Sequence, residues 1–402
     1  MITTDQTIST FLDFFHERGH RRTPGGSLVP PPGDPVLFTT SGMHPLTPHL
    51  SVGRHPLGRR LTGLQRCLRT TDLDEVGDST HLTVFEMLGS WSFDDYDCPQ
   101  SVRWGHELLR DGFGIEPDRL HVTVFGGDDQ VPPDHESWRV WDELGIPVEP
   151  TTHENWWSNG PTGLCGPDTE IFLWTGPEKP RGTPTSDDRW VEVWNHVMMR
   201  YLRHPDGSLE PLRRPCIDTG LGVERLVRIL QGMPSVFEID VFEPWTTGLT
   251  ELWGPLDEPT SRVLSDHLRS GVVILGDEVM PSPNGRGHIL RRLIRRMLTT
   301  LWREDPTRTL SDLPVDLVRH TLDHFRQLRD PHRVRTVLLH EEHKFRSLLR
   351  RGEQVLSHRR FTGPLDEDDY RYLHDTHGLP RGLVEFLRTG DDVVAVRDRD
   401  ID

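Results

Sequence analysis

The sequence predicts an α+β fold, in which a largely antiparallel sheet flanked by helices is followed by a mainly α-helical domain. From about residue 35 to 245, short apolar runs alternate with turns rich in glycine and proline, a pattern typical of antiparallel strands. From about residue 258 onward, apolar residues recur at helical spacing instead. We therefore expect a first domain over residues 1–245 and a helical domain over residues 246–402.

The elements can be predicted in order along the chain. Residues 7–20 carry Phe11, Phe14 and Phe15 at helical spacing, which predicts an amphipathic helix that ends near Gly19. The strands predicted next include the runs PVLFTT, RLHVTVFGG, EIFLWTG and VEVWNHVMMRYL. The helices predicted for the second domain include SRVLSDHLRSGVVILGDEV, GHILRRLIRRMLTTLW and LPVDLVRHTLDHFRQL.

The composition excludes several classes of protein. The chain has 402 residues, of which 34% are hydrophobic and 27% charged, as in a globular protein with a large core. It has no run of 18 apolar residues and its N-terminus does not resemble a signal peptide, so we expect a cytoplasmic protein. The four cysteines form no CxxC pair, which disfavours a disulfide framework and a cysteine zinc site. Neither lysine, Lys179 or Lys344, lies in a P-loop motif, and the net charge of −17 is unfavourable for a partner that is a polyanion.

A glycine-containing stretch, CIDTGLGVERL at residues 216–226, is the first candidate for a ligand site. It lacks the third glycine of a dinucleotide-binding loop, because Arg225 stands at that position. Gly220 and Gly222 would let the backbone approach a ligand closely, and Arg225 could bind a phosphate chain. The alternative is an ordinary loop that enters a helix.

Other segments carry further candidates, each with a structural alternative. Arg69 and Phe85 flank an acidic loop and could bind the phosphate and the base of ATP, or they could be a solvated arginine and a core ring. Asn195 and Val197 lie two residues apart, on one face of a predicted strand. Asp218 could bind an ammonium group or cap a turn.

Taken together, these segments resemble the catalytic part of the alanyl-tRNA synthetase family, a class II aminoacyl-tRNA synthetase family. The matching pieces occur in the family's order and include DPVLFTTSGM, QRCLRTTDLDEVG, FEMLGSWSF, TGLCGPDTEIF, VWNHVMM, DTGLGVERL, SDHLRSGVVILGDEVMPS, RGHILRRLIRRM and HDTHGLP. The resemblance implies activation of L-alanine with ATP and Mg²⁺ as an enzyme-bound adenylate, with no zinc.

The resemblance also implies roles for individual residues. Arg69 and Arg225 would be the catalytic residues that contact the phosphates. The ATP site would comprise Arg69, Phe85, Glu86, Gly222 and Arg225. The amino acid would be bound by Met43, Trp157, Asn195, Val197, Asp218 and Gly220. The resemblance does not assign the Mg²⁺ ligands.

Several positions depart from the family's pattern. Gly285 and Gly382 stand where the family carries side chains that read the acceptor stem of alanine tRNA, and Asp168 and His196 replace a usual cysteine and a usual apolar residue near the pocket. We also expect a catalytic-core paralogue that lacks the editing and C-terminal domains. A basic helix retains a candidate acceptor or tRNA face, consisting of Arg286, Arg291, Arg292, Arg295 and Arg296. These arginines could equally pair with acids elsewhere in the protein.

These departures leave three hypotheses for function. The first is transfer of the alanyl group to a small nucleoside-like or metabolite acceptor without tRNA, as in secondary metabolite biosynthesis. The second is a compact alanine-tRNA ligase that charges tRNA(Ala). The third is a regulatory paralogue without catalysis, which the retention of all the matching site residues disfavours.

Overall fold

The computed structural model describes residues 2–34, 36–50, 54–152, 154–158 and 160–389. The chain divides into two compact units, of which the first contains residues 1–68 and 85–240 and the second residues 69–84 and 241–402. The catalytic and tRNA-recognition roles assigned to the two parts of the chain remain predictions. Residues 390–402 of the predicted helical domain lie outside the described residues.

The first unit is built on the predicted, largely antiparallel sheet, which confirms the α+β fold class. Its strands are β1 (Arg21–Arg22), β2 (Arg60–Leu68), β3 (Val84–Phe93), β4 (Leu120–Phe125), β5 (Val148–Thr151), β6 (Trp156–Ser158), β7 (Gly163–Trp174), β8 (Trp190–Arg203) and β9 (Leu209–Gly222). Their spatial order is β1-β2-β3-β9-β8-β7-β4-β5, and β6 pairs with β7. The β1–β2 and β4–β5 pairs are parallel, whereas the β3–β9, β9–β8, β8–β7 and β7–β4 pairs are antiparallel.

Four helices cover one face of this sheet: α1 (Thr4–Glu17), α3 (Cys98–Glu107), α4 (His135–Glu143) and α5 (Val223–Gln231). The short helix α2 (Thr47–Leu50) lies on the other face, where its Leu50 packs in one buried cluster with Val197 and Trp91. Helix α1 is the predicted amphipathic helix, and it begins with a capping box between Thr3 and Gln6. Phe11 and Phe15 of α1 are buried, and the ring centroid of Phe11 lies 5.4 Å from that of Trp194 in β8.

The register of β7, β8, β9 and β3 determines which side chains share the other face. Asp168 pairs with Val197, Val197 with Asp218, and Asp218 with Trp91. Successive side chains of a strand point to opposite faces, so these four residues lie on one face. The neighbouring row on that face is Glu170, Asn195, Gly220 and Gly89. We call the face that carries these two rows the pocket face.

The second unit is mainly helical. Its helices are α6 (Glu243–Trp253), α7 (Glu258–Gly276), α8 (Gly285–Glu304), α9 (Val315–His324), α10 (Pro331–Leu356), α11 (Glu367–His377) and α12 (Arg381–Thr389). Helix α7 is the centre of this unit, because its residues 263–275 are all buried. Among the described residues, no helix is both long enough and apolar enough to cross a membrane.

The loop of residues 69–84 is held against α7. The Asp266 carboxylate accepts hydrogen bonds from the Thr83 backbone N–H at 2.9 Å and from Thr83 Oγ1 at 2.6 Å. The buried Arg269 donates to the backbone oxygen of Val84 at 2.8 Å. These contacts explain why this loop belongs to the second, helical unit rather than to the first unit, although it joins two strands.

Candidate active site

The residues predicted to enclose the amino acid form one apolar cluster in the first unit. Met43 precedes the short 3-10 turn His44–Leu46, and it packs in one buried cluster with Val197 and Trp91. Trp157 of β6, which is partly buried, packs against this cluster. The structure therefore brings together three predicted residues from separate segments, and it adds Trp91, which was not identified from the sequence.

Met87 limits the space beside Gly220 in this pocket. A Cβ atom at Gly220 would lie 2.7 Å from the Met87 sulfur, closer than side-chain contacts in proteins allow. The Met87 sulfur also lies 3.2 Å from the Gly42 backbone N–H, which donates to it. Met87 was not identified from the sequence, because a methionine in a strand gives no signal of its own.

Asp218 is one of the buried carboxyl groups of the pocket face. Trp91 Nε1 donates a hydrogen bond to Asp218 Oδ1 at 2.6 Å. Burial raises the pKa of Asp218 to about 7, and the Trp91 hydrogen bond opposes that rise. An ammonium ligand would strongly stabilise the charged form of this carboxyl group, because its positive charge compensates for the water that burial removes.

The predicted nucleotide residues of the first unit gather at the start of α5. Gly222, the N-cap of α5, carries no capping side chain, and Arg225 lies in the first turn of the helix. The Arg225 guanidinium forms an ion pair with Glu192 at 3.0 Å. A helix N-terminus and a guanidinium both favour phosphate, so this region suits the phosphates of ATP.

Phe85 and Glu86 lie on the strand next to this helix N-terminus. Met87 pairs with Gly222 across β3 and β9, and the backbone N–H of Glu86 donates to Glu224 of α5 at 3.0 Å. Phe85 is partly buried and Glu86 is buried. The pairing of β3 with β9 therefore positions both residues beside Gly222.

Arg69 belongs to the second unit. It is the first residue after β2, is partly buried, and its backbone N–H donates to the Thr83 oxygen at 3.2 Å. The two ends of the loop thus meet in a hairpin, and the loop end that carries Thr83 is attached to α7.

A second group of carboxylates lies on the sheet beside Arg225. The pKa of Glu170 is raised to about 9, first by burial and then by the negative charges of Glu192 and Asp168.

Among the described residues there is no group of three or more His, Cys, Asp or Glu side chains that could hold a metal ion. Such a group is not required for Mg²⁺ in an ATP site, where the phosphates usually supply most of the non-water ligands.

The candidate acceptor face on α8 is largely engaged within the second unit. Arg291 lies 3.6 Å from Glu341, and Arg292 lies 3.8 Å from Asp74. Arg296 donates to the backbone oxygen of Leu73. Arg295 stacks over Phe345, and burial lowers its pKa to about 10. Four of the five arginines that were predicted to face an acceptor or to pair with acids thus have intramolecular contacts.

His196 is an exception to the sequence-based placement, which set it near the pocket. Its Nδ1 lies 3.0 Å from Ser101 Oγ of α3, on the face of the sheet opposite Asn195 and Val197. The prediction was wrong because neighbouring residues of a strand face opposite sides. Burial lowers the pKa of His196 to about 3, so it stays neutral as part of the packing against α3.

Comparison with known proteins agrees with this fold. The family model described as tRNA synthetases class II (A) matches residues 7–396. The chain is 40% identical to alanine-tRNA ligase from Treponema pallidum over 96% of the chain and 68% of that protein. It is 39% identical to the alanine-tRNA ligase of Borrelia hermsii over 96% of the chain and 69% of that protein. The chain therefore belongs to the alanyl-tRNA synthetase family of class II tRNA synthetases.

The match does not extend over the whole length of these relatives. The chain is 44% identical to alanine-tRNA ligase from Treponema denticola, over 73% of the chain but only 52% of that protein. For the enzyme from Halorhodospira halophila, the chain covers 46% of the relative's length at 39% identity. The chain thus spans between about half and two thirds of the length of these curated relatives.

Proposed function

We propose that this protein is an ATP-dependent ligase that activates L-alanine as alanyl-adenylate and transfers the alanyl group to an acceptor. In the first step an alanine carboxylate oxygen bonds to the α-phosphorus of ATP, and the bond to pyrophosphate breaks. The observation that carries the proposal is the position of the buried Asp218, on a strand that continues into Gly222 and Arg225 at the start of α5. The proposed ammonium site therefore lies on a strand that leads directly into the proposed phosphate site at the start of α5.

The pocket supports alanine as the amino acid. Met43 and Val197 pack in one cluster, and the space beside Gly220 is limited by Met87. Such a site accommodates a methyl group and excludes branched side chains by contact. A pocket that differs by one methyl group discriminates only about 10- to 200-fold, so glycine and serine should be weaker substrates rather than inactive ones.

The phosphate chemistry requires no side-chain nucleophile. Charge develops on the phosphoryl oxygens, and preorganised cations stabilise it more than water does. Arg69 and Arg225 are the residues that we assign to this role, with Phe85 and Glu86 on the adenine side. Mg²⁺ would supply further positive charge at the phosphates.

The relatives favour tRNA(Ala) as the acceptor. The relatives from Treponema pallidum and Borrelia hermsii, of which the chain covers more than two thirds, are alanine-tRNA ligases. Transfer to a small nucleoside-like acceptor is the second candidate, and one observation supports it. Arg291, Arg292 and Arg296 of the candidate tRNA face already have partners within the second unit, which leaves them less available for phosphates.

Two measurements test these proposals separately. Alanine-dependent ATP–pyrophosphate exchange tests activation, and exchange that is as fast with valine or leucine as with alanine would contradict the assigned pocket. Charging of purified alanine tRNA tests the acceptor, with tRNA carrying an altered acceptor-stem wobble pair as the control. Efficient charging that the altered pair abolishes identifies a tRNA ligase, whereas intact exchange without charging favours a small acceptor. A protein that shows neither exchange nor charging would be the non-catalytic paralogue.

A further inference from the structure

Asp168 is a buried carboxyl group on the pocket face that the proposed reaction does not use directly. It pairs with Val197, which in turn pairs with Asp218, so it lies two strands from the proposed ammonium site. Only 1% of its surface is exposed. Burying a carboxyl group is costly, so its interactions need an explanation.

A chain of hydrogen bonds holds one side of this carboxyl group. Asn155 Nδ2 donates to Asp168 Oδ1 at 3.0 Å and to Thr123 Oγ1 at 2.9 Å. Thr151 Oγ1 donates to Asn155 Oδ1 at 2.6 Å, and the Asp168 backbone N–H donates to the Asn155 oxygen at 3.1 Å. Asn155 is itself completely buried, so its amide orientation is fixed by these partners.

The remaining partner of Asp168 is Asn195. Asn195 is a diagonal neighbour of Asp168 on the pocket face, since Asp168 pairs with Val197 and Glu170 pairs with Asn195. Burial raises the pKa of Asp168 to about 7, and a hydrogen bond from the Asn195 side chain opposes that rise. When Asp168 is ionised, its carboxylate can only accept hydrogen bonds, so the Asn195 amide then presents its Nδ2 group to Asp168. The amide oxygen then faces away from Asp168.

That amide oxygen is the second observation. Asn195 Oδ1 is buried, and it has no hydrogen-bond partner among the described residues. Asn195 lies opposite Gly220 in β9, two residues from Asp218, on the same face of the sheet. Buried polar atoms without a partner are uncommon in native proteins, and an acceptor of this kind suits a ligand that has only donors.

We propose that Asp168 is a positioning residue that orients the Asn195 amide, so that Asn195 Oδ1 accepts a hydrogen bond from the α-ammonium group of the amino acid. This inference rests on the proposed function, because the ligand is the amino acid that the enzyme would activate. Asp218 supplies the countercharge for the ammonium group, and Asn195 supplies a neutral acceptor. Asp168 does not contact the ligand.

A double-mutant cycle tests whether Asp168 acts through Asn195. The variants are Asp168→Asn, Asn195→Ala and the double variant, and the readout is the KM for alanine and for ATP in pyrophosphate exchange. Asp168→Asn removes the feature that selects one orientation of the Asn195 amide while keeping the side-chain size. We expect each single variant to raise the alanine KM by about 10- to 100-fold, which corresponds to the loss of one hydrogen bond to a charged group. The KM for ATP should not change.

The double variant gives the decisive comparison. If Asp168 acts through Asn195, adding Asp168→Asn to Asn195→Ala changes the alanine KM no further. The proposal would be overturned if the rise in alanine KM of the double variant equalled the product of the two single rises. An unchanged alanine KM in Asp168→Asn would also overturn it. Should Asp168→Asn melt below the assay temperature, Asp168→Ser removes the carboxylate with a smaller side chain and enters the same cycle.

Asp134→Asn is the matched control. Asp134 is another buried carboxylate, which caps α4 by accepting from Ser137, and its charge acts on Asp168. Its loss should lower the melting temperature without changing the alanine KM. A rise in the alanine KM equal to that of Asp168→Asn would show that loss of any buried carboxylate has this effect, and would overturn the proposal.

Equilibrium binding of L-alaninol, which keeps the ammonium and methyl groups, separates this inference from the proposed function. If wild type binds L-alaninol but performs no exchange, and Asp168→Asn weakens that binding, the positioning role stands and the proposed reaction fails. If Asp168→Asn binds L-alaninol like wild type, the positioning role fails even where exchange occurs. If wild type binds no L-alaninol, the ammonium site itself is wrong and both proposals fall.

Discussion

Asp218 combines a cost in stability with a gain in binding. In the ligand-free protein, burial raises its pKa to about 7, so the group is neutral in acid and charged in alkali. Only the charged form offers a countercharge to the ammonium group of an amino acid. The same burial that makes the charged form costly in the free protein therefore makes the site selective for a cationic group.

The first prediction concerns the pH dependence of amino-acid use. As pH rises from 6 to 8, Asp218 loses its proton, and we expect the alanine KM to fall, by up to about tenfold per pH unit below the pKa. Initial rates of pyrophosphate exchange at saturating ATP over this range would measure the effect. Asp218→Asn should have a high alanine KM with a weaker dependence on pH, because Asp168, whose pKa burial also raises to about 7, still titrates. A flat profile in wild type would exclude Asp218 as the titrating group.

The second prediction follows from the sign of the same shift. A carboxyl group whose pKa is raised in the folded state binds its proton more tightly when folded than when unfolded. Its contribution to stability is therefore fully present at low pH and is lost as pH rises through about 7. We expect Asp218→Asn to melt higher than wild type at pH 8, by about a few degrees, and by less at pH 5, which lies nearer to the unfolded pKa of about 3.9. Thermal unfolding without ligand tests this, and a lower melting temperature at pH 8 would contradict it.

Arg69 carries the third prediction. Arg69→Ala should reduce the kcat of exchange by about 10²- to 10³-fold, the usual loss for one preorganised donor to a transition state. The alanine KM should change little, because the side chain is assigned to the phosphates. Arg181→Ala is a suitable control, since the Arg181 side chain is 68% exposed and its carboxylate partner is 3.8 Å away. Exchange at the wild-type rate in the Arg69 variant would show that Arg69 is not part of the active site.

At the scale of elements, α7 organises the loop that begins with Arg69. Asp266 accepts two hydrogen bonds from Thr83, and it also contacts His267 Nδ1 at 2.8 Å. Arg269 lies between the rings of Phe242 and Phe325, at 4.4 and 4.8 Å from their centroids. These buried contacts fix the end of the loop at Thr83, whose backbone oxygen accepts from Arg69.

The fourth prediction tests this attachment. Asp266→Ala leaves the Thr83 donors without their acceptor, so we expect a melting temperature several degrees lower and a higher KM for ATP, with a smaller change in the KM for alanine. Asp257→Ala, which removes the N-cap of the same helix, is the control for a general loss of α7 stability. Equal rises of both KM values in the Asp266 variant would show that the loop has no specific role at the nucleotide.

The helices of the second unit form without alanine, the residue with the highest helix propensity. The 26 residues of α10, for example, contain none. Leucine and arginine, which are also good helix formers, take its place, and the buried side of α10 includes Val334, Leu338 and Phe345. Tertiary packing of these apolar side chains therefore accounts for much of the stability of α10.

At the scale of the whole molecule, the near absence of alanine supports a hypothesis about the conditions of synthesis. The single alanine of the chain is Ala395. Alanine is normally among the commonest residues, so drift is a poor explanation for 401 positions without it. A message almost free of alanine codons can be translated when alanyl-tRNA is scarce.

The fifth prediction follows from this hypothesis. When the housekeeping alanyl-tRNA synthetase of the host is inhibited, synthesis of this protein should fall less than that of proteins with ordinary alanine content. Pulse labelling during inhibition would measure it, with a version of the gene that carries several surface alanine codons as the matched control. An equal fall in the synthesis of both versions would contradict the hypothesis.

The sequence alone was sufficient for the family and the fold class, because the order of its motifs and the change from strand to helix periodicity are local properties. It also determined that Asn195 and Val197 share a face, since side chains alternate along any strand. Only the tertiary structure decided which side chains meet across strands, such as Trp91 with Asp218 and Asn155 with Asp168. It likewise decided that Met87 limits the pocket at Gly220, and that the arginines of α8 have partners within their own unit. These contacts join residues far apart in the chain and depend on strand register and helix packing, which the local pattern of a single sequence does not specify.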